Sequence, residues 1–187
     1  MAAEGRALLV IDMLEDFVRP GAPLEVPRTR EIQPAVRRRV ARARKEGELV
    51  VYVCDSHGKK DPEFDRMGWP AHAVAGTRGA AVAREIAPEP GDVVVEKKTY
   101  SGFHGTQLSS VLRRHGIRSV SLAGCVTNIC ILYTAYEAAV RGYEVAVDES
   151  VVAGLDERSH RFALDQMENV LGARVIRRGG RGRRPRR

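Results

Sequence analysis

Short apolar runs recur along the chain at residues 7–11 (ALLVI), 49–54 (LVVYVC), 93–95 (VVV), 119–123 (SVSLA), 144–147 (EVAV) and 173–176 (ARVI). Runs this short, rich in Val and apolar on successive positions, predict strands buried on both faces. Between them, apolar residues return at helical spacing. Residues 29–46 place Ile32, Val36, Val40 and Ala43 on one side among Arg and Glu, and Gly47 stands where a left-handed cap is wanted. Residues 106–115, 128–141 and 157–171 repeat the pattern, closed by Gly116, Gly142 and Gly172. Strand alternating with helix predicts an α/β fold of three layers, α/β/α, with a mainly parallel sheet of about six strands and right-handed crossovers. The one long interruption, residues 55–77, is punctuated by Gly and Pro. It is longer than a plain connection needs, which makes it a candidate functional loop.

The chain has 187 residues, 43% hydrophobic and 29% charged, which excludes a disordered chain, a collagen-like repeat and a membrane protein. Its length suits one domain, read here as residues 1–176, followed by a basic, disordered tail at 177–187 (RRGGRGRRPRR). The seven Arg of that tail account for the whole formal charge of +7, so the body has no global basic field to steer a polyanion. Three widely spaced Cys (Cys54, Cys125, Cys130) do not make a disulfide framework, and the N-terminus lacks the basic start and long apolar stretch of a signal peptide. The expected setting is cytoplasmic and reducing, with no membrane partner.

In an open parallel sheet, ligands bind beyond the carboxyl ends of the strands. Asp12 follows the first strand, Asp55 and His57 the second, and Lys97 the third. After the fourth comes the turn Gly124-Cys125-Val126-Thr127-Asn128, leading to Cys130. Cys130 lies near the start of an apolar helix, where free N–H groups and partial positive charge lower a thiol's pKa and hold an oxyanion. A carboxylate able to take the thiol proton and an ammonium beside it would complete a nucleophilic hydrolase from Asp12, Lys97 and Cys130. On spacing alone the bland reading of Cys130, a small buried hydrophobe, stands beside the catalytic one. Asp55 and His57, two apart on an extended stretch, point the same way, and His72 returns from the far side of the long loop. One carboxylate and two imidazoles suit Zn²⁺, Fe²⁺ or Mn²⁺, with Glu63 or Asp65 as a further ligand; the bland reading is a polar rim. Cys54 and Cys125 read as structural, His104, His115 and His160 as exposed or capping residues, and Tyr133, Tyr136 and Tyr143 as core or interface packing. No organic cofactor is called for.

These residues resemble the isochorismatase-like cysteine hydrolase superfamily, and within it the nicotinamidases (pyrazinamidases). The matching segments are ALLVIDMLEDF (7–17), VYVCDSH (51–57), WPAHAVAGTRGA (69–80), EKKTYSGFHGT (96–106) and GCVTNICILYTAYEAAVRGYEVAV (124–147). The resemblance implies a Rossmann-like fold with Asp12 as base, Lys97 as charged partner and Cys130 as nucleophile. It also implies a cis peptide at Cys125–Val126 and an oxyanion hole of the Val126 and Cys130 N–H groups. Phe17, Trp69, Tyr100 and Cys125 then line the substrate pocket, and Asp55, His57 and His72 hold a divalent metal. Ser56 stands where an aromatic residue is usual, and the loop GKKDPEF replaces a proline- and histidine-bearing form. The implied activity is hydrolysis of a small-molecule amide, nicotinamide to nicotinate and ammonia, by a homo-oligomer. Alternatives are a related hydrolase of another amide, a carbamoyl compound or a vinyl ether, and, more remotely, a non-catalytic nucleic-acid binder using the Arg tail.

Overall fold

The computed structural model describes residues 5–177. Six strands, β1 (Arg6–Ile11), β2 (Leu49–Asp55), β3 (Val93–Lys97), β4 (Ser119–Cys125), β5 (Glu144–Ala153) and β6 (Arg174–Ile176), form one sheet in the order β3-β2-β1-β4-β5-β6. Every neighbouring pair is parallel. All six expected strands are present, and the sheet is parallel throughout.

Alternation along β1 shows how the layers are built. Leu8 and Val10 face one side and pack with Ile32, Val36, Val40 and Ala43 of helix α2 (Arg28–Glu46), which Gly47 ends in the left-handed region (φ 72°). Ala7, Leu9 and Ile11 face the other side. They join Leu108 and Leu112 of α4 (Leu108–Arg114), Ala135 and Ala138 of α5 (Leu132–Val140), and Leu164 and Met167 of α6 (Glu157–Asn169). Strands buried on both faces need apolar residues at successive positions, which is why β1 and β2 read as unbroken runs. The edge strand β3 departs from that expectation, leaving Val94 and Glu96 exposed.

Three local features differ from the sequence expectation. The four-residue α1 (Glu15–Val18) follows β1. The long loop carries the short helix α3 (Pro62–Met67), capped by the Asp61 side chain and ended by Gly68. The helix expected over 128–141 begins instead as a π-helical turn, Thr127–Ile131, before α5. The tail expected at 177–187 lies, beyond Arg177, outside the described residues. Among the described residues no helix is long and apolar enough to cross a membrane.

Candidate active site

From β1 the chain winds outward to β2 and β3, then returns to add β4 on β1's other side, opening a crevice between the carboxyl ends of β1 and β4. Asp12 stands there in a left-handed conformation (φ 51°). Its N–H donates to Val53 O (2.9 Å), and its Oδ1 accepts from the Asp55 N–H (2.9 Å). The backbone thus turns the carboxylate across β2. Asp55 and Lys97 are register partners at the ends of β2 and β3, so their side chains leave the same face and meet. Lys97 Nζ lies 2.8 Å from Asp12 Oδ2 and 3.5 Å from Cys130 Sγ. The structure brings Asp12, Lys97 and Cys130 together in a nearly dry cluster: Asp12 and Lys97 are 1% exposed and Cys130 7%.

That dryness sets the electrostatics. Burial and the Asp55 carboxylate push Asp12 up to about 6 against the pull of Lys97. Lys97 is lowered by burial, but Asp12, Cys130 and Asp55 outweigh this and hold it well above the ordinary lysine range. Burial also drives the Cys130 thiol well up; Lys97 opposes this and the two carboxylates add to it. The direction is opposite to the one expected from a helix start and an ammonium, because burial is the largest of these causes. The one ammonium is shared between the sulfur and two acids, and the Asp12 carboxylate stands beside it.

Asp55, His57 and His72 also converge, offering donor atoms all within 4.8 Å of one another. His57 Nδ1–H donates to Asp61 Oδ2 (3.1 Å) and His72 Nδ1–H to Pro70 O (2.8 Å), which leaves both Nε2 atoms as lone-pair donors. Of the two further ligands considered, Asp65 is exposed on the outer side of α3, whereas Glu63 is buried and its Oε2 has no hydrogen-bond partner. One carboxylate and two imidazoles with free Nε2 lone pairs are a set that a divalent cation satisfies, so Asp55, His57 and His72 fit one, and the unpaired Glu63 Oε2 stands 4.0 Å from His57 Nδ1 at the edge of that set. Sequence reasoning missed Asp61, although Asp-Pro at a helix start is a legible N-cap signal. It also missed Asp16, whose Oδ2 accepts the Ala73 N–H (2.9 Å) and ties down the loop carrying His72.

A crevice of about 60 Å³ opens onto Asp12, Asp55 and Cys130. Phe17, Trp69, Tyr100 and Cys125 line it, with Val126, Leu24, Val26, Ile129 and Leu155 beside them. Trp69 packs edge-on to His72 (5.9 Å between centroids) and Tyr100 stacks on Tyr133 (5.7 Å). The Cys125–Val126 peptide is cis, immediately before the turn that carries Cys130. A larger groove of about 530 Å³ lies at the amino ends of β1, β4, β5 and β6, away from this chemistry.

The remaining histidines divide. His104 and His115 are exposed, His115 Nδ1 bonding Val111 O at the end of α4. His160, expected at the surface or in a cap, is 2% exposed and bonds Thr127. Tyr143 stacks on Phe103, while Tyr133 and Tyr136 stand exposed on α5.

Residues 6–178 match the family model described as the isochorismatase domain. The chain is 34% identical, over 91% of its length and 98% of the relative's, to an uncharacterised isochorismatase family protein of Bacillus subtilis. It is similar in structure to the N-carbamoylsarcosine amidase of Thermoplasma acidophilum (TM-score 0.84, 36% identity, 97% of this chain and 99% of that one). It is likewise similar to the pyrazinamidase of Pyrococcus horikoshii crystallised in complex with zinc (TM-score 0.86, 31% identity, 93% and 99%).

Proposed function

The chain belongs to the isochorismatase family, and from that premise we propose that it is a metal-containing cysteine amidohydrolase whose substrate is nicotinamide, released as nicotinate and ammonia. The observation that carries this reading is the single ammonium of Lys97 touching Asp12, Asp55 and Cys130 at the floor of an aromatic crevice.

Asp12 takes the thiol proton as Cys130 Sγ attacks the carboxamide carbon. The oxyanion is received by the Val126 and Cys130 N–H groups. Collapse breaks the C–N bond, and Asp12 passes its proton to the departing nitrogen, which leaves as ammonia. A water then gives its proton to Asp12 and adds to the thioester carbon; the acid leaves and the thiol is restored. Lys97 keeps the carboxylate aimed at the sulfur and offsets the charge of Asp12 and Asp55. Asp55, His57, His72 and Glu63 would hold the metal, which when bound supplies a Lewis acid at the crevice wall for a pyridine nitrogen or a water. Phe17, Trp69 and Tyr100 give a flat ring its walls. The crevice lining holds no Arg to pair with a substrate carboxylate, which favours a neutral amide.

A second reading, hydrolysis of a carbamoyl compound, is favoured by the likeness to an amidase of N-carbamoylsarcosine. One assay decides between them: ammonia release from nicotinamide, pyrazinamide and N-carbamoyl amino acids by purified protein, with Cys130→Ala as control. The expected outcome is turnover of the neutral ring amides and its loss in the variant. Undiminished turnover by Cys130→Ala removes the mechanism, and exclusive turnover of the carbamoyl acids removes the substrate.

A further inference from the structure

The mechanism above leaves one buried polar cluster unused, on the far side of the nucleophile turn from the crevice. Thr127 opens that turn and is fully buried. Its Oγ1 lies 2.9 Å from His160 Nδ1, and His160 Nε2 lies 3.7 Å from Glu149 Oε1 of β5. In the neutral ring with Nε2–H toward Glu149, the Thr127 hydroxyl donates to Nδ1. The approach of His160 is itself built in. A Cβ at Gly154 would stand 2.9 Å from the His160 Cβ, so glycine there lets the first turn of α6 close onto the end of β5. The Asp156 side chain fixes that turn by accepting the Ser159 N–H (2.8 Å).

We infer that His160 is a positioning residue for the nucleophile turn: through Thr127, with Glu149 behind it, it sets the first residue of the segment that presents the Val126 and Cys130 N–H groups. The consequence for catalysis rests on the amidase reading; the consequence for the turn does not. Single π-helical turns are rare and frequent at functional sites, and in this reading a hold from outside the segment keeps this one in one geometry. Thr127, pinned between the cis peptide and α6, supplies it. A misplaced pair of oxyanion donors weakens transition-state stabilisation while leaving the walls that bind the ring untouched.

Four variants test this. Thr127→Val and His160→Leu remove the hydrogen bond at nearly constant volume. Thr127→Ser and His160→Asn restore it, because the Asn Oδ1 overlays the position of Nδ1. Expected are a fall in kcat of about 10–100-fold with KM within about twofold in the first pair, and values near wild type in the second. Hydrogen–deuterium exchange over residues 126–131, which needs no substrate, is expected to rise in the first pair only. Unchanged exchange in Thr127→Val, or equal damage in the Leu and Asn variants, overturns the inference. Faster exchange with unaltered kcat overturns its catalytic half. Should the wild-type protein release no ammonia from any amide, the proposed function fails while exchange still decides the role of His160. Thr127→Val, the smallest change, keeps the test open if His160→Leu does not fold.

Discussion

Lys97 is the residue on which the charges of the site balance. It is the one cation among two carboxylates and a thiol, and all four groups are buried. Removing one partner of a buried ion pair leaves the other charge without compensation, at about 3–5 kcal/mol. Lys97→Met, which keeps the stem, is therefore expected to lose stability on that scale by urea denaturation, and a loss under about 1 kcal/mol would show that Asp12 sheds its charge by taking a proton. The same logic separates Glu63 from Asp65. Glu63→Gln is expected to lower zinc affinity about 10–100-fold by titration calorimetry, and Asp65→Asn to leave it unchanged. Sequence named both acids because each lies within reach of the loop. Which one points inward depends on the handedness of α3, an element too short, with Phe64 as its one buried apolar residue, to read from periodicity. The thiol of Cys130 shows the same limit. A helix start and a lysine are visible in sequence, whereas the burial that outweighs the pull of Lys97 is a property of the assembled crevice.

At the scale of elements, β1 and β2 lie inside the sheet and their unbroken apolar runs announced them, while the cluster of Asp12, Lys97 and Cys130 was legible because each member sits at or just beyond a strand end. The π-helical turn was not legible, since five residues do not distinguish its period from that of an α-helix. Nor was the irregularity in β4, although Gly124 marks it. There the pairing with β5 shifts register, φ is 118°, and a Cβ would stand 1.9 Å from Ile11 O. Gly124→Ala would force β4 away from β1 at the residue preceding Asp12. The expected outcome is a stability loss above the ~1 kcal/mol typical of glycine replacement, with a fall in turnover at temperatures where the variant remains folded. Melting followed by circular dichroism and ammonia release at 10 °C separate the two effects. Full activity would mean that Asp12 holds its place without this contact.

At the scale of the whole molecule, both apolar layers and the complete candidate site close within the described residues. Arg177 is the last of these, and it ties back to α6 through Asp165 (2.7 Å) and Glu168 (2.9 Å). The six Arg beyond it carry most of the excess charge of the chain. If the body does the chemistry and the basic end only adds charge, ending the chain after Arg177 should separate the two. Surface changes are usually worth within about 0.5 kcal/mol, so the melting temperature is expected to move by less than about 2 °C, with amide turnover unchanged. Whatever affinity the full chain shows for duplex DNA should vanish in the shortened one. Its salt dependence should have a logarithmic slope no steeper than about −5.4, six phosphate contacts at about 0.9 each. Binding that survives the truncation with its slope intact would place the contacts on the body, against the neutrality of residues 1–176. A truncated protein that loses turnover while keeping its melting temperature would assign the basic end a part in the reaction.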